Sequence, residues 1–359
     1  MNANQEILFA HLGCGRVARR YRDVFENGEV ANARMVAACD IDLARAEEFA
    51  RHAGGTPYGD LETMLAETEA RVVSISTPSG NHAADIRTVL ESGRHVVVEK
   101  PMTMRPEDAA TLTALAEELG LMLCVVKQNR YNPAMRKVKQ TMESGRFGKP
   151  VLATARVRWA RDMSYYTMDP WRGKFASDGG VITNQAIHHI DALQWVMGPV
   201  EAVCAQGATQ LNDIEVDDTT VAILRFASGA LGIVEATTAT RPDDIEASLS
   251  ILGEGGSVVI GGLALNQIED WRFVESEADD ATVPQEFSQE VPDAYGFGHG
   301  PLLQDVTNAL QSNDMTPPIS GHEGAKALAI VHALYRSVED GGWVTLGEDS
   351  ASRRLGIGP

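Results

Sequence analysis

Paired cysteines are missing from this chain. Its 359 residues carry four, Cys14, Cys39, Cys124 and Cys204, far apart and with no C-x-x-C pair. That argues against a disulfide framework or a zinc site, so no metal and a reducing, cytoplasmic location are expected. Long apolar runs are missing too. The longest, Leu121 to Val126, falls far short of the ~18 residues a membrane span needs and suits a buried strand. The start, MNANQEILFA, has no basic stretch followed by an apolar one, so no export signal is expected. Basic residues are scarce: 31 Lys and Arg against 50 Asp and Glu, a net charge of −19. A chain so acidic is not a general binder of nucleic acid or anionic membrane, both of which need a basic surface. No period of ~20–50 residues repeats, which excludes a solenoid.

What is present describes a globular α/β protein. Hydrophobic residues make up 44% and charged residues 23%, and at ~150 residues per domain the length predicts two domains. Over the first 125 or so residues, short apolar runs (Ile7–Leu12, Met35–Cys39, Val72–Ser76, His95–Val98, Leu121–Val126) alternate with helical patterns at Ala44–Arg51, Ala83–Glu91 and Pro106–Leu119. Continuous apolar strands alternating with helices predict a doubly wound parallel sheet covered on both faces. Beyond residue 150 the strands alternate apolar with polar: Val151–Trp159, Glu201–Gln206, Thr219–Phe226, Ala230–Thr237 and Ala247–Leu252. Turn signals sit at Ser228-Gly229 and Gly253–Gly256, so a mostly antiparallel sheet, open or covered on one face, is expected there. Ser320-x-x-Glu323 reads as a capping box, ahead of the helical stripe Leu328, Val331, Leu334, Tyr335 and Val338. The expected division is residues 1–127 and 128–359, with the last helix a candidate to return to the first domain.

Gly13-Cys14-Gly15-Arg16-Val17-Ala18 follows the first strand and opens a helix. In this G-x-G-x-x-A pattern Gly13 permits the tight turn, Gly15 lets backbone approach a pyrophosphate, and Ala18 allows close helix–strand packing. Asp40 ends the second strand, where a carboxylate binds a ribose 2′-hydroxyl and repels a 2′-phosphate, so NAD is expected rather than NADP.

Three further groups could carry chemistry. Asn184, His188, Asp191 and Trp195 share one helical face, while Ala186, Ile190, Leu193 and Met197 share the core side. His188 could take a hydroxyl proton near neutral pH and Asp191 orient its ring, although such a stripe is equally a solvated face. Glu99-Lys100-Pro101 follows a strand at its carboxyl edge, where a Lys could hold an alcohol oxygen or simply enter a helix. Arg156, Arg158, Trp159, Arg161, Tyr165, Tyr166, Trp171, Arg172 and Lys174 bring five cations into a short span, suited to an anion or to exposed strand positions. By contrast, nine carboxylates against Arg272 lie between Glu269 and Asp293, a solvated edge or a subunit contact.

Gly13–Ala18, Thr77-Pro78-x-x-x-His82, Glu99-Lys100-Pro101 and Gly179-Gly180…His188-x-x-Asp191, in that order, resemble the Gfo/Idh/MocA family of NAD(P)-dependent oxidoreductases. The resemblance implies a Rossmann domain and a C-terminal α/β domain whose open sheet mediates a homodimer or homotetramer. It also implies that Lys100 and His188 flank the substrate hydroxyl beside the nicotinamide. One departure stands out: the family commonly has Asp where this chain has Asn184, and an amide can hold a hydroxyl but cannot take its proton. The run WRGKFASDGGVITNQAIHHIDALQWVMGPVEAV, with RVRWARDMSYY before it and YGFGH after it, is similar to a branch that oxidises C3 of UDP-linked N-acetylated amino-glucuronates with NAD. By that resemblance Gly13, Cys14, Gly15, Arg16, Val17, Asp40, Ser76, Thr77, Pro78, His82, Glu99, Lys100, Gln128, Trp171 and Arg172 line NAD. Lys100, Arg158, Arg161, Tyr166, Asn184, His188 and His299 face the sugar, with Lys100, His188, Asn184 and Asp191 the catalytic set.

Three rivals remain on the sequence. One is the same chemistry on a free sugar, inositol or sugar acid. Another is an NAD-dependent glycosidase, which oxidises, eliminates and returns the hydride. The last is a non-catalytic NAD- or sugar-sensing protein, which would need neither Lys100 nor His188.

Overall fold

The computed structural model describes residues 6–358; the reading of the amino-terminal segment falls partly on residues 1–5, outside them. The chain forms two compact units, Met1–Gln128 with Phe297–Ala325, and Asn129–Gly296 with Lys326–Pro359. This corrects the continuous second domain expected from the sequence, since residues 297–325 return to the first unit.

The first unit is built from β1 (Ile7–Leu12), α1 (Ala18–Glu26), β2 (Ala33–Cys39), α2 (Leu43–Ala53), β3 (Thr56–Tyr58), α3 (Leu61–Glu67), β4 (Val72–Ile75), α4 (His82–Glu91), β5 (His95–Val98), α5 (Pro106–Glu118) and β6 (Leu123–Val125). The strands pair in parallel in the order β3-β2-β1-β4-β5-β6. Every residue of β4 and β5 is buried, as apolar strands covered on both faces must be. Asp42 and Asp60 accept backbone N–H groups at the starts of α2 and α3, and Pro106 opens α5. The strand order reverses between β1 and β4, which opens a crevice at the carboxyl edge of the sheet.

The second unit contains α6 (Pro133–Glu143), β7 (Pro150–Arg158), α7 (Met163–Thr167), α8 (Ile187–Met197), β8 (Val200–Ala208), β9 (Thr219–Phe226), β10 (Leu231–Thr237), β11 (Glu246–Gly253), β12 (Gly256–Gly261), β13 (Gln267–Phe273) and α9 (Val283–Phe287). The chain then gives α10 (His299–Gln311) to the first unit, where it packs on α1 and β1. Helix α11 (Gly321–Asp340) and strand β14 (Val344–Thr345) follow. At the start of α11 the Ser320 hydroxyl accepts the Glu323 N–H at 3.2 Å, the cap the sequence indicated.

The second sheet has the order β13-β12-β11-β7-β10-β9-β8-β14; only the β7–β10 pair is parallel. Helix α8 packs against β7 and β11 on one face. On the other, β9 and β10 leave Val221, Ile223, Leu231 and Ile233 exposed while burying the residues between them. This is the half-covered antiparallel sheet expected from alternation.

Candidate functional site

The first unit gathers its candidate residues after β1, β2, β4, β5 and β6, along the carboxyl edge. Gly13 has φ of +90°, and a Cβ there would lie 2.6 Å from the Thr77 nitrogen, so no other residue fits without displacing the β4 loop. A Cβ on Gly15 would meet nothing within 4 Å, so this backbone faces open space. Helix α1 starts with no side-chain cap and no acidic residue in its first turn. Its free N–H groups and positive end are therefore available to an anion.

Asp40, at the end of β2, accepts the Cys14 N–H at 2.8 Å through Oδ2 and the Asp42 N–H at 2.9 Å through Oδ1. The carboxylate is thus fixed against the glycine turn. Next to it Ile41 is 99% exposed, a bare apolar side chain with no packing in the chain itself. The Cys14 thiol is pushed well up by burial and by Asp40, which makes it a spacer and not a nucleophile.

Other residues expected to line the cofactor have structural partners of their own. The Thr77 hydroxyl donates to Asp85 at 2.5 Å. His82 is buried with its ring nitrogens 2.8 Å from the Pro101 oxygen and 2.9 Å from the Thr77 oxygen, tying the β4 loop to the β5 loop. The Lys100–Pro101 bond in the β5 loop is cis. Glu99 is buried, and its Oε1 accepts from the Tyr21 hydroxyl and His299 Nε2, each at 3.0 Å. Burial alone would raise the Glu99 carboxyl, but His299, Lys100 and Tyr21 together hold it below its ordinary value. His299, read from the sequence as facing the sugar, is 1% exposed inside this group of the first unit. Its visible task is to hold Glu99 beside Lys100. Gln128 follows β6 and is buried.

In the second unit, Val181–Gln185 forms a π-helical turn that leads into α8. Asn184 sits on that wider turn, so the regular 100° spacing assumed from the sequence begins only at residue 187. Ala186, Ile190, Leu193 and Met197 are buried as expected. Asp191 is buried too, which corrects the reading of a solvated face: Arg130 Nε and Nη2 donate to its two oxygens at 2.8 and 2.9 Å. The Arg130 guanidinium lies 5.2 Å from the Trp195 ring. Of two adjacent histidines, His188 is half-buried, whereas His189 is buried edge-on to Trp159 with its pKa pushed down to about 4 by burial.

The basic and aromatic group is heavily neutralised. Arg158 makes a two-pronged pair with Glu235 at 2.6 and 2.9 Å and reaches Glu246 at 3.1 Å, and Arg156 joins the same two glutamates. Arg161 pairs with Asp244 at 2.9 Å. Arg172 pairs with Asp169 at 2.9 Å and lies between the Trp171 and Tyr165 rings. Among the described residues Lys174 alone of the five has no carboxylate within 4.0 Å. The Tyr166 hydroxyl is turned inward onto Thr238 at 2.8 Å. A cavity of about 300 Å³ is lined by Tyr166, Asp169, Arg172, Gly173, Lys174 and Glu215, among others.

Sequence reasoning singled out Tyr165 within the basic and aromatic group but missed Arg130 and Asp178. Only their polar character in a buried setting marks those two, and burial is not visible in one sequence.

A family model described as "Oxidoreductase family, NAD-binding Rossmann fold" matches residues 7–127, and one described as "GFO/IDH/MocA C-terminal domain" matches residues 135–259. The chain belongs to the Gfo/Idh/MocA family. It is 38% identical to the WlbA dehydrogenase from Chromobacterium violaceum, solved with NADH and UDP-GlcNAcA, over 96% of this chain and 97% of that one, with a TM-score of 0.88. The WlbA dehydrogenase from Bordetella pertussis, solved with the same two molecules, is also 38% identical, over 96% of this chain and 99% of that one, with a TM-score of 0.88. The NAD-dependent scyllo-inositol 2-dehydrogenase of Bacillus subtilis is 27% identical over 72% of this chain and 75% of its own length.

The family, the two-sheet α/β fold and the use of NAD are therefore those read from the sequence, and the chain is an NAD-dependent dehydrogenase acting on CH–OH groups. The first unit's geometry fits that cofactor. The open Gly15 backbone and the uncapped start of α1 suit a pyrophosphate, and Asp40 suits a ribose diol.

Proposed function

We propose that this enzyme oxidises the C3 hydroxyl of a UDP-linked N-acetylglucosaminuronate to a ketone. The observation that carries this reading is the 38% identity, across both units, to two dehydrogenases solved with NADH and UDP-GlcNAcA. Bound NAD supplies the acceptor for the hydride that leaves C3. His188 takes the hydroxyl proton as the carbonyl forms, and Lys100 hydrogen-bonds the same oxygen and stabilises its developing charge. Asn184 holds the hydroxyl without accepting its proton. Asp191, through its buried pair with Arg130, fixes the helix that presents His188. In the first unit, Ile41 beside Asp40 offers an apolar seat for the adenine.

Arg158, Arg161 and Arg172 are the proposed contacts for the anionic groups of substrate and cofactor. Each already holds carboxylates, so a bound anion exchanges partners with them, and removal of one arginine raises KM more than it lowers kcat. Exposed Val221, Ile223, Leu231 and Ile233 support a homo-oligomer formed through the second sheet. A cytoplasmic setting fits four unbridged cysteines, and no helix of the described residues is long and apolar enough to cross a membrane.

The likeness to an inositol dehydrogenase favours a second reading, oxidation of a polyol or free sugar. One assay separates them: NADH absorbance with UDP-N-acetylglucosaminuronate, UDP-N-acetylglucosamine, inositols and free sugar acids. The uronate gives the highest kcat/KM on the first reading, and an inositol or free sugar does so on the second. Release of free sugar without net NADH would identify glycosidase chemistry instead.

A further inference from the structure

Asp178 joins the two segments that supply the second unit's candidate residues. It is 2% exposed. Its Oδ2 accepts the Gly173 N–H at 2.7 Å, and its Oδ1 accepts an N–H of the Asn184 carboxamide. An ionised carboxylate has no proton to give, so the Asn184 amide turns its nitrogen to Asp178 and its oxygen away. That oxygen accepts from Gln185 Nε2 at 3.2 Å, and the same nitrogen donates to the Tyr165 hydroxyl at 2.8 Å. Tyr165 in turn accepts from Arg172 Nη1. Arg172 precedes Gly173, whose N–H returns to Asp178, so the bonds close into a ring.

We propose that Asp178 is a positioning residue for the dehydrogenation: it fixes the direction of the Asn184 amide and ties the Trp171–Gly173 loop to the entry of α8. The proposal rests on the catalytic reading above for its kinetic consequence alone. It carries a specific requirement, that residue 184 be an amide. An Asp at 184 sets two carboxylates within hydrogen-bond distance, which cannot both ionise without strong repulsion. Exchanging the two groups removes the conflict. With Asp178→Asn and Asn184→Asp together, the new amide accepts from Gly173 and donates to the new carboxylate, which still accepts from Gln185. The titratable groups on the segments packed here are Tyr165, Tyr166, Asp169, Arg172 and Lys174 in the loop, His188, His189 and Asp191 on α8, and Asp217 and Tyr335 behind the Gly179-Gly180 bend. None of them changes in the exchange.

The test compares Asn184→Asp, Asp178→Asn and the double variant with the unmodified enzyme. The first readout is the thermal unfolding midpoint from about pH 5 to pH 8 without nucleotide or sugar. The second is kcat and KM with NAD and UDP-N-acetylglucosaminuronate. Asn184→Asp should lose midpoint progressively as pH rises, because the proton shared by two carboxylates leaves in that direction. It should also lose about tenfold or more in kcat/KM at neutral pH, the cost of one pKa unit or more in the charge of the pair. The double variant should recover the unmodified enzyme's pH dependence of the midpoint. An Asn184→Asp enzyme that matches the unmodified midpoint across this range overturns the proposal, as does a double variant no better than the worse single one. Should Asn184→Asp fail to fold, a folded double variant supports the pairing and an unfolded one overturns it. An unmodified enzyme inactive on this uronate contradicts the substrate reading, while the midpoints still decide the role of Asp178.

Discussion

His188 and His189 are neighbours with different physics. His189 is enclosed against Trp159, and burial holds its pKa down to about 4, so it stays neutral at working pH and serves packing. His188 is half-buried. A His188→Ala enzyme should lose about 10²–10⁴-fold in kcat with a small change in KM, the range for removing a general base, as read by steady-state NADH formation. The Arg130–Asp191 pair makes a separate prediction. Asp191→Ala removes the two-pronged carboxylate partner of a buried guanidinium and should cost about 3–5 kcal/mol in denaturant unfolding. Replacing both residues with apolar ones should recover most of that loss. The spacing of His188 to Asp191 was legible in the sequence and is kept in α8. The arginine was not, because it lies 61 residues from its partner and nothing local links the two.

At the scale of elements, patterns of period two and continuous apolar runs located most strands. β1, β5 and β9 coincide with the sequence reading, and β2, β7, β8, β10 and β11 differ at their ends. Apart from β12, hidden behind the glycines read as a turn, the missed strands are short or lie at edges. β3 has three residues, β14 has two, and β13 carries carboxylates because its outer positions are solvated. Part of the acidic stretch is anchored: Arg146 pairs with Asp280 and Glu277, and Lys137 with Asp279. The glycine bend before α8 was legible as Gly179-Gly180, but its support was not. A Cβ on Gly180 would lie 2.4 Å from Asp217 Oδ1, and the Tyr335 hydroxyl bonds both to that carboxyl group and to the Gly179 carbonyl. Burial raises Asp217 to about 6. A carboxyl raised on folding stabilises the protein below its unfolded pKa, and that stability is lost as pH rises from about 4 to about 6. Asp217→Asn should flatten this dependence and remove a penalty on the order of 3 kcal/mol, seen by denaturant unfolding at several pH values.

For the whole molecule, the net charge of −19 argues against a general polyanion binder but not against an anionic substrate. The arginines at residues 156–172 lie in matched pairs with carboxylates, which keeps them ordered and leaves little net positive charge on this segment. The sequence offered the last helix as the one to return to the first domain, whereas the segment that returns is 297–325, which carries α10 and only the start of α11, because chain order carries no sign of which core a helix joins. The proposed oligomer through the second sheet predicts that Ile223→Lys with Leu231→Lys lowers the mass seen by light scattering while NAD binding to the first unit persists. The central claim concerns which bond is broken. UDP-N-acetylglucosaminuronate labelled with deuterium at C3, incubated with the enzyme and NAD, tests it directly by mass spectrometry of the nucleotide formed. The account predicts deuterium in the reduced nicotinamide and its loss from the sugar. Label retained in the sugar while NADH accumulates, or no reaction with this substrate alongside rapid turnover of an inositol, would contradict it.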